Sequence, residues 1–214
     1  TPVMIMGKSG SGKSRSLKDI DPATSFLIQV IRKPLPFKGW REKWTERTQE
    51  NPSGNVLVTD NPEKIRKLIA AISINRKEVK TVIIDDSQYI MANEFMRTAT
   101  VKGFDKFTKI GLDFWEIVTE SAMHRDDLTV FFLHHVEEMD NGGKKAKTIG
   151  KMLDEKISIE GMFTIVLMAD FRDGNHVFVT KTNGHDTIKA PEGMFESECI
   201  ENNLTQVIQA IAAY

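Results

Sequence analysis

The stretch that most limits what this chain can fold into is Gly7-Lys8-Ser9-Gly10-Ser11-Gly12-Lys13-Ser14, which follows the apolar run Val3-Met4-Ile5-Met6. The pattern G-x-x-x-x-G-K-S between a strand-like run and a helix-compatible one is the phosphate-cradling loop. Glycines let the backbone curl around an anion, and consecutive N–H groups form a nest at the start of a helix. Lys8, Ser9, Gly10, Ser11, Gly12, Lys13, Ser14 and Arg15 are the residues expected to hold a nucleotide. Lys13 reaches the outer phosphates, and the Ser14 hydroxyl is a ligand for Mg²⁺. A nucleoside triphosphate with Mg²⁺ is the expected ligand.

A second motif fits the first. Thr81-Val82-Ile83-Ile84-Asp85-Asp86 is a β-branched run ending in two acids. A parallel α/β sheet binds its ligands at the C-terminal edge of its strands, where those acids would stand. With a phosphate loop upstream this reads as a Walker B strand. Asp85 is then a metal ligand with Ser14, and Asp86 orients or deprotonates the attacking water. The competing reading is a strand that happens to end in two solvated acids.

Composition excludes several classes. The 214 residues fit a single domain over 1–214, and 40% hydrophobic with 28% charged residues is ordinary globular usage. No apolar run nears the roughly 18 residues of a membrane span, and no stretch reads as a signal peptide. Cys199 is the only cysteine, so neither an intramolecular disulfide nor a cysteine zinc site is expected. A cytoplasmic protein without membrane contact is the simple expectation. Net charge is −1, yet residues 1–50 carry ten Lys/Arg against five Asp/Glu. That asymmetry fits either a basic binding face or a plain surface.

Taken in order, Arg15–Lys18 should open a helix that Asp21-Pro22 stops. Ser25–Ile31 and Asn55–Thr59 read as strands, and Asn61-Pro62-Glu63 caps a helix with Ile65, Leu68, Ile69 and Ile72 on one face. Between them, Arg32–Arg41 has two prolines and a glycine, so regular structure is not expected. Its cations, with Phe37, Trp40 and Trp44, suit a partner- or strand-binding loop, or a loop pinned by its own aromatics. Residues 87–123 read as two helices broken near Val101-Lys102-Gly103, with Leu112, Trp115, Ile117, Val118 and Met123 as a buried stripe. Leu128–Leu133 is a strand followed by His134-His135, and Met139–Lys147 reads as a mobile basic loop. Ile149–Ile159 is helix-like, Met162–Met168 and His176–Thr180 are strands, and Leu204–Ala213 is a terminal helix. The sum is an α/β fold with a mostly parallel central sheet.

This order of motifs resembles the RecA-like core of recombinase ATPases, and more closely the small phage-encoded ATP-binding proteins of the AAA/Sak class. The residues that carry the likeness are the phosphate loop, Ile83-Ile84-Asp85-Asp86, Lys33-Pro34-Leu35-Pro36-Phe37, Leu133-His134-His135-Val136-Glu137 and Thr180-Lys181-Thr182-Asn183…Lys189-Ala190-Pro191. The resemblance implies a three-layer P-loop NTPase, the cytoplasm of a host cell, and an ATPase acting on single-stranded DNA by annealing or loading. It places His135 as a polar sensor of the γ-phosphate, with His134 on the other face. It assigns DNA contact to Lys102, Phe104, Lys106, Phe107 and Lys109, and to Lys144, Lys145 and Lys147. It also implies a homo-oligomeric ring or filament in which Lys181 and Lys189 stabilise γ-phosphate charge in the neighbouring subunit. One departure is plain: Ile31-Arg32-Lys33 stands where recombinases carry a water-activating glutamate, a role that Asp86 would take over.

Other functions remain open on sequence. A nucleotide-gated binding module, or an NTPase serving a protein partner, uses the same motifs. A GTPase is less well matched, because Thr180-Lys181-Thr182-Asn183 lacks the guanine-reading aspartate and Gln88 replaces a glycine. A small-molecule kinase would want an arginine-rich lid.

Overall fold

The computed structural model describes residues 1–140, 142–149 and 157–214. Nine strands are present among them: β1 Pro2–Gly7, β2 Ser25–Gln29, β3 Val56–Val58, β4 Thr81–Asp85, β5 Thr129–Glu138, β6 Lys144–Ala146, β7 Ile165–Arg172, β8 Asn175–Val179 and β9 Cys199–Glu201. The helices are α1 Trp40–Lys43, α2 Pro62–Asn75, α3 Gln88–Arg97, α4 Asp105–Ser121 and α5 Leu204–Ala213. The sheet runs β3-β2-β4-β5-β1-β7-β8-β9, with β6 hydrogen-bonded to the far end of β5. The pairings from β3 to β7 are parallel, and β8, β9 and β6 join antiparallel.

Alternation along the buried strands divides the core in two. Met4, Met6, Phe26, Ile28, Val82, Ile84, Val130 and Phe132 face α2, α3 and α4. Their neighbours Val3, Ile5, Leu27, Ile83, Phe131 and Leu133 face the opposite way, toward Leu17, Ile20, Leu35, Trp44 and α5. A strand covered on both faces has no polar side to show, which is why these segments read as unbroken apolar runs. Helix α2 forms as its cap dictates: Asn61 accepts a hydrogen bond from the Lys64 N–H at 2.9 Å, with Pro62 in the first turn. Ile65, Ile69 and Ile72 are its buried ridge, and each contributes about 1.5–3 kcal/mol by leaving water.

Several expectations need correction. After the Gly7–Lys13 turn there is only a 3₁₀ turn over Ser14–Leu17, not an α-helix. The chain must turn at once toward Asp21-Pro22, and Ser16 Oγ donates to the Lys13 carbonyl at 2.6 Å, tightening the turn. The second strand ends at Gln29, whose side-chain amide donates to the Lys33 carbonyl instead. On α4 the buried ridge is Ile110, Phe114, Ile117 and Val118, while Leu112 and Trp115 are exposed, as is Met123 beyond the helix. Met139–Lys147 is no loose loop: β5 continues through His135 to Glu138 and folds back as β6. Most of the helix expected at Ile149–Ile159 lies outside the described residues, and Ile159 opens a short 3₁₀ turn. No helix among the described residues is long and apolar enough to cross a membrane.

Candidate functional site

The strand order brings the motif-bearing ends together. β5 lies between β1 and β4, so the Gly7–Ser14 turn, His135 and the Asp85-Asp86 pair leave the same edge of the sheet side by side. Lys33 follows β2, the next strand over. A cleft of about 380 Å³ opens there, walled by Ser9, Gly10, Gly12, Lys13, Ser14 and Arg15 on one side. Lys33, Pro34, Pro36, Asp86, His135 and His176 form the remainder.

The turn has the form of an anion nest. Gly12 sits at φ 103°, in the left-handed region, and Lys13 after it is right-handed at φ −49°, the alternation of hand from which anion nests are built. A Cβ on Gly12 would come within 2.9 Å of both His176 Nδ1 and Asn202 Oδ1, which leaves glycine as the residue that fits. With a single 3₁₀ turn behind it, the site gains little from a helix dipole and depends on the nest and Lys13. Lys13 Nζ is buried and donates to the Gly7 and Lys8 carbonyls at 2.7 and 3.0 Å. Burial pulls its pKa down to about 8, against the pull of Asp86 and Asp85.

Ser14 Oγ donates to both carboxylate oxygens of Asp85, at 2.8 and 3.0 Å. Asp85 is 1% exposed, and its pKa is raised by burial first and by Asp86 second. Two hard oxygen donors meeting beside a cationic nest suit Mg²⁺, which takes one or two protein oxygens and fills its octahedron with water and phosphate. No cluster of three or more His, Cys, Asp or Glu side chains able to hold a metal alone exists among the described residues.

Asp86 is the strained member of the pair. Its φ is 60°, a conformation that costs a non-glycine residue on the order of 1 kcal/mol or more. Two groups face its buried carboxylate: Lys33 forms an ion pair with Oδ2, and His135 Nε2 lies 3.3 Å from Oδ1. Burial opposes ionisation of Asp86, but the hydrogen bonds from His135 and Lys33 outweigh it and hold the pKa below the ordinary aspartate value. His134 points the other way, as strand alternation requires. It is fully buried between Ser87 Oγ and the Lys147 carbonyl, each 2.9 Å away, and burial takes its pKa down to about 4.

The other expected residues lie elsewhere. Lys8 is ion-paired with Glu138 on the hairpin. Lys106 donates to the Thr98 carbonyl and stands over the rings of Phe95 and Phe107, which pack on each other. Lys109 pairs with Asp113 and Lys145 with Glu137. Phe104 and Lys102 are exposed, as is Lys147, while Lys144 is half-buried opposite Glu138. Lys181 donates to the Glu196 carbonyl, and Lys189 is bridged through its backbone to Val166. Neither lines the cleft of its own chain.

Three participants have roles that the linear sequence does not signal. Lys33 reads there as a cation of the Arg32–Arg41 loop, as the start of the Lys33–Phe37 run and as a residue in place of a glutamate, not as the partner of Asp86. His176, 3.0 Å from the Ser11 carbonyl, and Asn202, against Gly12, come from the last third of the chain. Both polar atoms of the Asn202 amide, and Ser11 Oγ, are buried without a hydrogen-bond partner. Unpaired buried groups beside a phosphate-type turn are a structural signal that no spacing rule carries. A scan against protein-family models gives no match, and neither does a search of curated proteins.

Proposed function

We propose that this protein binds a nucleoside triphosphate, ATP by the resemblance above, with Mg²⁺ in the cleft at the ends of β1, β5 and β4, and hydrolyses it. The observation that carries the reading is the Ser14–Asp85 contact, which joins the nest to the acid-bearing strand. The phosphates lie in the Gly10–Ser14 nest, and Lys13 exchanges its two carbonyl partners for phosphate oxygens. Mg²⁺ bound by Ser14 and Asp85 would supply charge neutralisation between the outer phosphates.

For hydrolysis, the oxygen of a water held by Asp86 forms a bond to the γ-phosphorus. The bond from that phosphorus to the β–γ bridging oxygen breaks, and its electron pair stays on the diphosphate. The proton of the water passes to Asp86, whose carboxylate His135 keeps oriented. Asp86 thus fills the place left without a glutamate after β2.

In the same reading the protein is a RecA-like P-loop ATPase that works on single-stranded DNA as a homo-oligomer. Support for the DNA part is compositional: exposed Lys102, Phe104 and Lys147 are its best remaining contacts, since Lys106 and Phe107 pack internally. Steady-state ATP turnover with and without single-stranded DNA tests both parts. The reading predicts Mg²⁺-dependent hydrolysis that DNA accelerates. Turnover indifferent to DNA removes the DNA part, and binding without turnover leaves a nucleotide-gated module.

A further inference from the structure

The cleft contains a second lysine with a different attachment. Lys13 is buried and held by two backbone carbonyls, whereas the Lys33 side chain is 40% exposed and its head group is engaged by Asp86. The backbone of Lys33 is restrained at its carbonyl. Gln29 Nε2 donates to its carbonyl at 2.8 Å, and Pro34 follows. The side chain is therefore the movable part, a four-carbon arm pivoting on an anchored residue at the rim of the cleft. The carboxylate it covers has one oxygen facing His135 and the other facing Lys33, and Asp86 is only 3% exposed, so the closed pair leaves water little access to it.

We propose that Lys33 is a γ-phosphate-sensing cation: it closes Asp86 when the γ-position is empty and moves to the γ-phosphate when a triphosphate enters. The inference rests on the triphosphate reading of the cleft. A terminal phosphate carries more negative charge than a carboxylate and would face Asp86 across the same space. Bringing the two anions together without a cation between them is costly in a low-dielectric cleft, and Lys33 is the cation already present. Its departure leaves Asp86 oriented by His135 through one oxygen, with the other available to water. A diphosphate, lacking the outer group, leaves the ion pair closed.

The same residue opens the segment Lys33–Trp44. That segment walls a second cavity of about 440 Å³, lined among others by Lys33, Pro34, Trp40 and Trp44. The Lys33 arm is itself part of that wall, so its displacement changes the surroundings of Trp40 and Trp44, two of the three tryptophans. Trp115, the third, is on α4.

Titration calorimetry with ADP and with a non-hydrolysable ATP analogue, both with Mg²⁺, tests the proposal without relying on turnover. Lys33→Gln keeps a hydrogen-bond donor toward Asp86 but removes the charge, and Lys33→Arg restores it. Removing one charge-assisted hydrogen bond is expected to cut the preference for triphosphate over diphosphate by roughly tenfold to a hundredfold in Lys33→Gln. ADP affinity should stay within about twofold, and Lys33→Arg should recover part of the preference. In a Trp115→Phe background, the analogue should change tryptophan emission where ADP does not, and Lys33→Gln should abolish that difference. An unchanged triphosphate preference in Lys33→Gln overturns the sensing role while leaving the nucleotide site intact. Failure of wild-type protein to bind either nucleotide overturns the site reading, and the sensing role with it.

Discussion

The cleft beside β1 and the two lysine-bearing segments, Lys102–Lys109 and Lys144–Lys147, hold their cations in opposite ways. In the cleft, Lys13 and Lys33 follow β1 and β2 and converge on one space with the two acids that end β4. In the segments, Lys106, Lys109 and Lys145 are already committed to Thr98, Asp113 and Glu137. A cation brought to a concave site by tertiary structure points to a ligand. One that stands on an open surface and meets a partner there is accounted for by that surface. Local lysine content is therefore a weak guide to a nucleic-acid face, and the exposed remainder must carry it.

The comparison can be broken most forcefully at the cleft. Lys13→Ala and Asp85→Ala should each lower ATP turnover by at least about a thousandfold, since each removes charge stabilisation that the transition state needs. Near-wild-type rates in either variant would contradict the assignment of the cleft.

The buried His134, behind the cleft, sharpens it at intermediate scale. His134 is neutral when buried, with a pKa of about 4, against about 6.5 in the unfolded chain. The unfolded state thus takes up the proton first. The stability that follows from this is fully present above about pH 6.5 and is lost as pH falls toward 4, by roughly 3 kcal/mol. Urea unfolding at pH 7 and pH 4.5 should show a smaller pH difference in His134→Gln than in the parent protein. Equal differences would mean that His134 is not the group that titrates.

The smallest effect belongs to the hairpin. Replacing Lys144, Lys145 and Lys147 by alanine should lower the salt slope of single-strand binding by about 0.7 for each phosphate that is no longer neutralised, so at most roughly 2. An unchanged slope would remove this face from the DNA reading.

Much of the arrangement is legible in the residues. The strand before the Gly7–Ser14 pattern, the Ile-Ile-Asp-Asp strand end, the Asn61-Pro62 cap and the terminal helix all rest on local chemistry, and the structure has each of these elements where the residues place it. What stays hidden depends on tertiary contact. The short run after Ser14 becomes a 3₁₀ turn because the chain has to reach Asp21-Pro22. The basic run after His135 becomes a hairpin because Val136, Glu137 and Glu138 find partners in Ala146, Lys145 and Lys144. Lys33 acquires meaning only when β2 is laid beside β4 and the rim of one strand faces the acid of the next. Asn202 and His176 reach the Ser11–Gly12 turn from the far end of the chain, a separation of 165 residues for His176 and Ser11 that no local pattern spans.

The central claim is that a Mg²⁺-bound triphosphate is gripped between the Gly7–Ser14 turn and Asp85. Titration calorimetry of a non-hydrolysable ATP analogue, with and without Mg²⁺, into wild-type and Asp85→Ala protein tests it most directly. The account predicts one site per chain in the wild type, tightened by Mg²⁺, and loss of that metal dependence in Asp85→Ala. No binding to the wild type, or binding with the same metal dependence in both proteins, would contradict it.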